Sequence, residues 1–385
     1  MRFPEFGCEW KKTKLADITK RVLRKNKGVV SERPLTISAQ YGLIDQRDFF
    51  NKVVASENLE GYYLLKRGEF AYNKSYSNEH PWGAVKRLDT YDEGVLSTLY
   101  ICFECFGVHS DWLVHYFDSP KWNGQVSAIA VEGARNHGLL NVAIEDFFGT
   151  QHFIPNNRAE QEKIASFLNL IDERITAQIR IIEDLKSLSD VICERLYNPS
   201  EKGEWQTYKY EDLFSVSNER NSKLLYKNVL SASQEYGMIE RNELNIDIKF
   251  EESSITNYKI VRPNQYVIHL RSFQGGFAYS EKTGVCSPAY TILVPNENLA
   301  TAFLKYYFTS KKFIDSLRIV TYGIRDGRSI SVEEFLQLKV NIPDISQQNH
   351  IVCVMQLWEE KIRTEEAYLF QLQCQKMYLL STMFV

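Results

Sequence analysis

The sequence predicts an α+β protein: two mixed α/β domains in tandem, separated by two long helices that pair as an antiparallel coiled coil, pseudo-twofold symmetric within one polypeptide. Three observations carry the prediction. The chain repeats itself along its 385 residues. Each repeat ends in a long run whose apolar residues recur every three and four positions. Each repeat begins with a block in which β-rich runs alternate with helical ones, punctuated by Gly, Asn and Pro.

The repeat starts with EWKKTKLADI (9–18) over EWQTYKYEDL (204–213), where Glu9, Trp10, Lys14 and Asp17 recur as Glu204, Trp205, Lys209 and Asp212, an offset of 195. Tyr41-Gly42-Leu43-Ile44 recurs as Tyr236-Gly237-Met238-Ile239, and Tyr63 and Arg67 as Tyr258 and Arg262. The offset then becomes 190: Gly94, Val95, Ser97, Tyr100 and Tyr116 match Gly284, Val285, Ser287, Tyr290 and Tyr306. At offset 188, Ile154-Pro155 matches Ile342-Pro343. Within the blocks, 62–72, 264–273 and 289–295 read as strands and 303–317 as helical.

The terminal runs match at offset 187, residues 160–175 over 347–362. The first seam reads Leu168, Ile171, Ile175, Gln178, Ile182, Leu185, Ser189, Ile192, Leu196; the second reads Met355, Trp358, Ile362, Glu365, Leu369, Leu372, Lys376, Leu379, Met383. Sustained 3-4 spacing marks a coiled coil, and polar residues at the same two steps of both seams suit a fixed register. The alternative is two amphipathic helices packed separately on globular domains. The domains expected are 1–157, a helix over 158–198, a second block over 199–344 and a second helix over 345–385. A helix from Ile164 to Leu196 would be about 50 Å long, a ruler of roughly one and a half duplex turns.

Net charge is −3, which argues against binding nucleic acid by bulk charge alone. Residues 11–27 nevertheless form a basic run with Asp17 as its one acid, either a solvated face or a phosphate contact. No run of eighteen apolar residues suggests a membrane span, and no signal peptide is seen, so a cytoplasmic location is expected. Seven cysteines at irregular spacing read as reduced thiols. Cys102-Phe103-Glu104-Cys105 is a lone CxxC and reads as structural rather than metal-binding. Neither GxxxxGK[ST] nor GxGxxG after a strand is present, so no catalytic residue, metal site or cofactor is assigned. Glu145, Asp146, Glu333 and Glu334 recur between halves and read as helix-start residues.

The opening RFPEFGCEWKKTKLADI, the central IPNNRAEQEKIASFLNLIDERI and LKSLSDVICERL, and the closing QKMYLLSTMFV resemble specificity subunits of type I restriction-modification systems. FAYNKSYSNEHPWGAVKRL (70–88) resembles one version of that family's target recognition domain. The resemblance implies a non-catalytic subunit with two target recognition domains, each reading one half of a split site on double-stranded DNA, and two conserved helices docking two methyltransferase subunits. Two restriction (motor-nuclease) subunits join for cleavage. S-adenosylmethionine, ATP and Mg would be bound by those partners. Two competing readings are a silent or partnerless copy of such a subunit and a coiled-coil adaptor that binds only protein. The lack of catalytic motifs speaks against a single-chain methyltransferase-nuclease.

DNA contacts are expected at loops and element ends. In the first block these are Asn73, Lys74, Ser75, Lys86, Arg87 and Arg135; in the second, Arg271, Ser272, Gln274, Arg325 and Arg328. Asn and Arg suit bidentate contacts with base edges, while Lys and Ser hold phosphates.

Overall fold

The computed structural model describes residues 2–38, 42–50, 58–75, 80–135, 139–198, 205–233, 236–241, 252–269, 276–317, 321–322 and 329–385. Contacts divide the chain into two compact units, Met1–Ile179 with Tyr368–Val385, and Arg180–Ala367. The two long helices, Arg158–Leu196 and Ile345–Met383, each contribute residues to both units. The mixed helix and sheet content is as predicted.

In the first unit a four-stranded sheet has the order Thr19–Arg21, Ile101–Cys105, Phe70–Asn73, Ala84–Arg87, with every neighbour antiparallel. Side chains of successive strand residues leave opposite faces, and here both faces are covered. Phe70, Tyr72, Ile101 and Phe103 point into one cluster; Ala71 and Cys102 point into another with Leu35, Leu65 and Leu96. This explains why these strands read as continuous apolar runs rather than alternating ones. The first cluster also holds Trp112 and Tyr116 of the helix Ser110–Asp118, Ile164 and Leu168 of the first long helix, and Leu379, Met383 and Phe384 from the chain end. Two ribbons, Leu35–Ser38 with Gly42–Asp45 and Tyr63–Lys66 with Glu93–Leu96, cover the other face. A further ribbon, Lys11–Lys14 with Gln151–Ile154, ties the start of the block to the strand that leads into the first long helix.

The second unit repeats this plan. Its four-stranded sheet runs Phe214–Ser217, Thr291–Pro295, Gln265–Ile268, Phe277–Ser280. Tyr266, Ile268, Phe277 and Leu293 face one cluster, and Val267, Ala278 and Ile292 the other. Gln206–Lys209 pairs with Lys339–Ile342, and Leu230–Ser233 with Gly237–Glu240, as their counterparts do. The correspondence reaches single hydrogen bonds. Gln161 accepts from His109 N at 2.7 Å and donates to Pro155 O at 2.8 Å. Gln348, 187 residues on, accepts from Ala300 N at 2.8 Å and donates to Pro343 O at 2.9 Å. Buried amides must be satisfied, and each long helix therefore begins with a glutamine that ties it to its own unit. In the first unit the neighbouring Glu160, also buried, accepts from Trp10 Nε1 at 3.1 Å and from Arg2.

None of the seam residues predicted on the two long helices is exposed, whereas Leu170, Leu188, Leu357 and Phe370, apolar but off the seam, are. In the first unit Asp172 pairs with Lys376 at 2.6 Å, and Arg174 lies over the Tyr368 ring. In the second, Lys186 pairs with Glu366 at 2.8 Å. Glu145 and Asp146 lie in the first turn of Ile144–Gly149, and Glu333 and Glu334 in that of Val332–Gln337. There a carboxylate meets the positive end of the helix dipole.

Candidate nucleic-acid interface

Strand direction decides which loops share an end of the sheet. Thr19–Arg21 and Phe70–Asn73 both pair antiparallel with Ile101–Cys105, so they run parallel to each other and leave the sheet at the same end. Ala84–Arg87 enters at that end, Ala84 opposite Asn73. The hairpin of Val131–Arg135 with Leu139–Asn141 joins there too, because Leu140 N donates to Lys74 O at 2.9 Å. The structure thus brings together Asn73, Lys74, Ser75 and the strand that ends at Arg135.

This end is tightly built. Asn73 Oδ1 accepts from Ser75 N at 3.0 Å, an Asx turn that fixes the chain as it leaves the strand. Gly83 has φ of 78°, and a Cβ there would lie 2.2 Å from Asn73 O, so only glycine fits. Beneath it Tyr72 is fully buried, stacked on Phe147 at 4.7 Å, and its hydroxyl donates to Trp82 O at 2.8 Å. Burial pushes its pKa up; Tyr72 is core, not a surface ring.

Lys86 and Arg87 are placed otherwise. Arg87 lies opposite Phe70, at the far end of the strand pair. Its guanidinium bonds Asp89 at 2.7 Å, Ser110 at 2.8 Å and Asp111 at 2.6 Å. Lys86 bonds Asp118 at 2.7 Å. Burial opposes ionisation of Asp118, and Lys86 and Lys376 overcome it, holding that carboxyl below its usual range. Both basic residues clamp the sheet to the helix Ser110–Asp118. Asp89 is two residues from Arg87, but Asp118 and Asp111 on the helix are 32 and 24 residues from their partners, so spacing along the chain carried no sign of the clamp.

In the second unit Arg271, Ser272, Gln274, Arg325 and Arg328 lie outside the described residues. The segments that hold them have described bases. His269 N donates to Gly276 O at 2.9 Å directly after the central strand, and Thr321–Tyr322 pairs with Ser329–Ile330. These are the counterparts of the 73–83 segment and of the Arg135 hairpin.

One pair of loops was not singled out from sequence. Asn26, fully buried, closes a loop on itself: its side chain donates to Ser31 O at 2.9 Å and accepts from Ser31 N at 3.0 Å. Asn221, 195 residues on, does the same with Tyr226, at 2.7 and 3.2 Å. The offset that aligns Trp10 with Trp205 also aligns these asparagines and would have found them.

The buried Cys102 thiol and the half-buried Cys105 thiol are pushed up to about 12 and about 11, chiefly by burial. Among the described residues no group of three or more His, Cys, Asp or Glu is placed to hold a metal ion, and no helix is long and apolar enough to cross a membrane.

Comparison with known proteins bears on this architecture directly. Residues 202–373 match the family model described as the type I restriction modification DNA specificity domain. A solved chain from work on complex assembly and conformational transition of the type I restriction-modification system superposes with a TM-score of 0.60 at 13% identity, covering 98% of this chain and 97% of that one. The specificity subunit of a type I system from M. genitalium superposes with a TM-score of 0.53 at 14% identity, covering 100% of this chain and 98% of that one. No curated protein matches the sequence. The second unit therefore carries a type I restriction-modification DNA specificity domain, and the chain has the fold of type I specificity subunits over its whole length. The family match over residues 202–373 and the shared fold agree with the resemblance stated from sequence.

Proposed function

We propose that the chain is the DNA-specificity subunit of a type I restriction-modification complex and reads a bipartite site, one half with each unit. The observation that carries this is the repetition of one reading platform: the same sheet order, the same loop-bearing end and the same glutamine tie occur in both units. Two similar platforms on one chain suit two short half-sites with a fixed gap. Specificity then resides in Asn73, Lys74, Ser75 and Arg135 on one platform, and in Arg271, Ser272, Gln274, Arg325 and Arg328 on the other. Lys86 and Arg87 act behind the first platform, holding it to its helix.

The long helices form an antiparallel coiled coil with pseudo-twofold symmetry and dock two methyltransferase subunits, which two restriction subunits join. The seam burial and the Asp172–Lys376 pair support the pairing of the helices. The chain performs no reaction itself; S-adenosylmethionine, ATP and Mg belong to the partner subunits.

The test is co-expression with the methyltransferase subunit, followed by methylation-sensitive long-read sequencing of host DNA. The expected result is a split motif methylated only when this chain is present. Co-purification without a new methylated motif would point to a silent copy. Failure to co-purify would favour a protein-binding adaptor.

A further inference from the structure

The loops closed by Asn26 and Asn221 share a strained backbone position. Val29 has φ of 52° and Leu224, 195 residues on, has φ of 53°. A branched side chain in the left-handed region is strained and persists only where the surroundings over-determine it. Both loops impose it alike: Val29 N donates to Asn26 O at 3.0 Å, and Leu224 N to Asn221 O at 2.8 Å. The result in each unit is a hydrogen-bonded tip presenting two adjacent apolar side chains to solvent. Val29 and Val30 are 41% and 59% exposed, Leu224 and Leu225 50% and 65%. An exposed lysine stands beside each pair, Lys27 and Lys223.

The residues around the tips differ between units, NKGVVS against NSKLLY, with the lysine shifted by one position, yet the apolar pair and the strained backbone recur at the same offset. Groups that read bases must differ when the half-sites differ. A group kept the same twice meets what the half-sites share, the duplex itself. Each tip comes after the strand that leaves the sheet parallel to the central strand, at the end where Asn73 lies in the first unit and Ile268 in the second. Apolar side chains on a rigid support can press between base steps and distort the duplex, with a neighbouring cation on phosphate.

We propose that Val29-Val30 and Leu224-Leu225 are paired wedges that distort DNA beside each half-site, contributing affinity without base choice. The inference rests on the reading of the chain as a specificity subunit. The test uses the full chain assembled with its methyltransferase subunits, on duplexes carrying the split site with 2-aminopurine placed at successive positions flanking each half. The double variants are Val29→Ser with Val30→Ser, and Leu224→Ser with Leu225→Ser. The control is Phe106→Ser, an exposed residue directly after the strand Ile101–Cys105, at the other end of the sheet. Each wedge variant is expected to lose the fluorescence increase beside one half-site only and to bind about tenfold more weakly, with an unchanged methylated motif and unchanged melting temperature. Fluorescence and affinity like wild type in both variants would overturn the proposal. So would weakened co-purification with the methyltransferase at unchanged DNA distortion, which would assign the tips to protein. Absence of site-specific binding by the wild-type complex would instead fell the specificity reading, and the wedges with it.

Discussion

The two units share a plan but join sheet to long helix with different chemistry. In the first, the joint is a half-buried network. His115 Nε2 lies 2.7 Å from Asn169 Oδ1, Lys376 pairs with Asp172 at 2.6 Å, and Lys86 pairs with Asp118 at 2.7 Å. In the second, Lys305 stands at the place of His115 and Glu359 at that of Asp172. Lys305 reaches Glu359 at 2.9 Å and the exposed Glu281 at 3.0 Å. The same topology thus tolerates a neutral histidine or a charged lysine at one position. Strand pairing and the apolar faces set the fold, while polar side chains at the joint set how it responds to charge and pH.

The largest effect that would sharpen this contrast comes from the cores. Trp112 is fully buried and stacks on Tyr116 at 5.2 Å, where the second unit has Ala302. Trp112→Ala is expected to cost about 3–5 kcal/mol. Hydrogen exchange of Phe70–Asn73 should report it, with Gln265–Ile268 as internal reference; equal loss of protection in both strands would break the comparison.

A pH experiment comes next. Burial lowers His115 and takes His152 down to about 4. An unfolded histidine binds its proton near 6.5. In that window the unfolded chain holds more protons than the folded one, so the first unit loses stability as pH falls from about 6.5 towards about 4, by on the order of 3 kcal/mol for His152. The second unit has Val340 at the place of His152 and Lys305 at that of His115. His152→Val should therefore flatten the acid limb of protection in Phe70–Asn73. A slope unchanged by the substitution would refute the assignment.

The smallest effect concerns the ion pairs. Lys376→Met leaves Asp172 without its cation and Asp118 with Lys86 alone, a loss of about 2 kcal/mol in the first unit. Lys305→Met removes pairs with more exposed acids and should cost under about 1 kcal/mol in the second. Denaturant unfolding of both variants decides; a larger loss for Lys305→Met would reverse the ranking.

The sequence was a good guide to the architecture and gave little sign of which cations the fold ties up in ion pairs. The repeat and the helical seams were legible because periodicity of three and four is a local property of a helix, and all the seam residues are shielded. Asn73, Lys74 and Ser75 lie together at one end of the sheet because they follow a strand. Lys86 and Arg87 looked the same in sequence, being basic and near a strand end.

What the sequence determined by itself is the duplicated α+β plan, the two long helices and the apolar faces, since these follow from patterns within each segment. Only the tertiary structure decided which cations face solvent and which are held by Asp118, Asp111 and Asp89, and that the Asn26 and Asn221 loops hold a strained apolar tip. Most of these contacts join residues far apart in the chain, and an ion pair or a closed loop leaves no local pattern when its partner is chosen by strand direction and register.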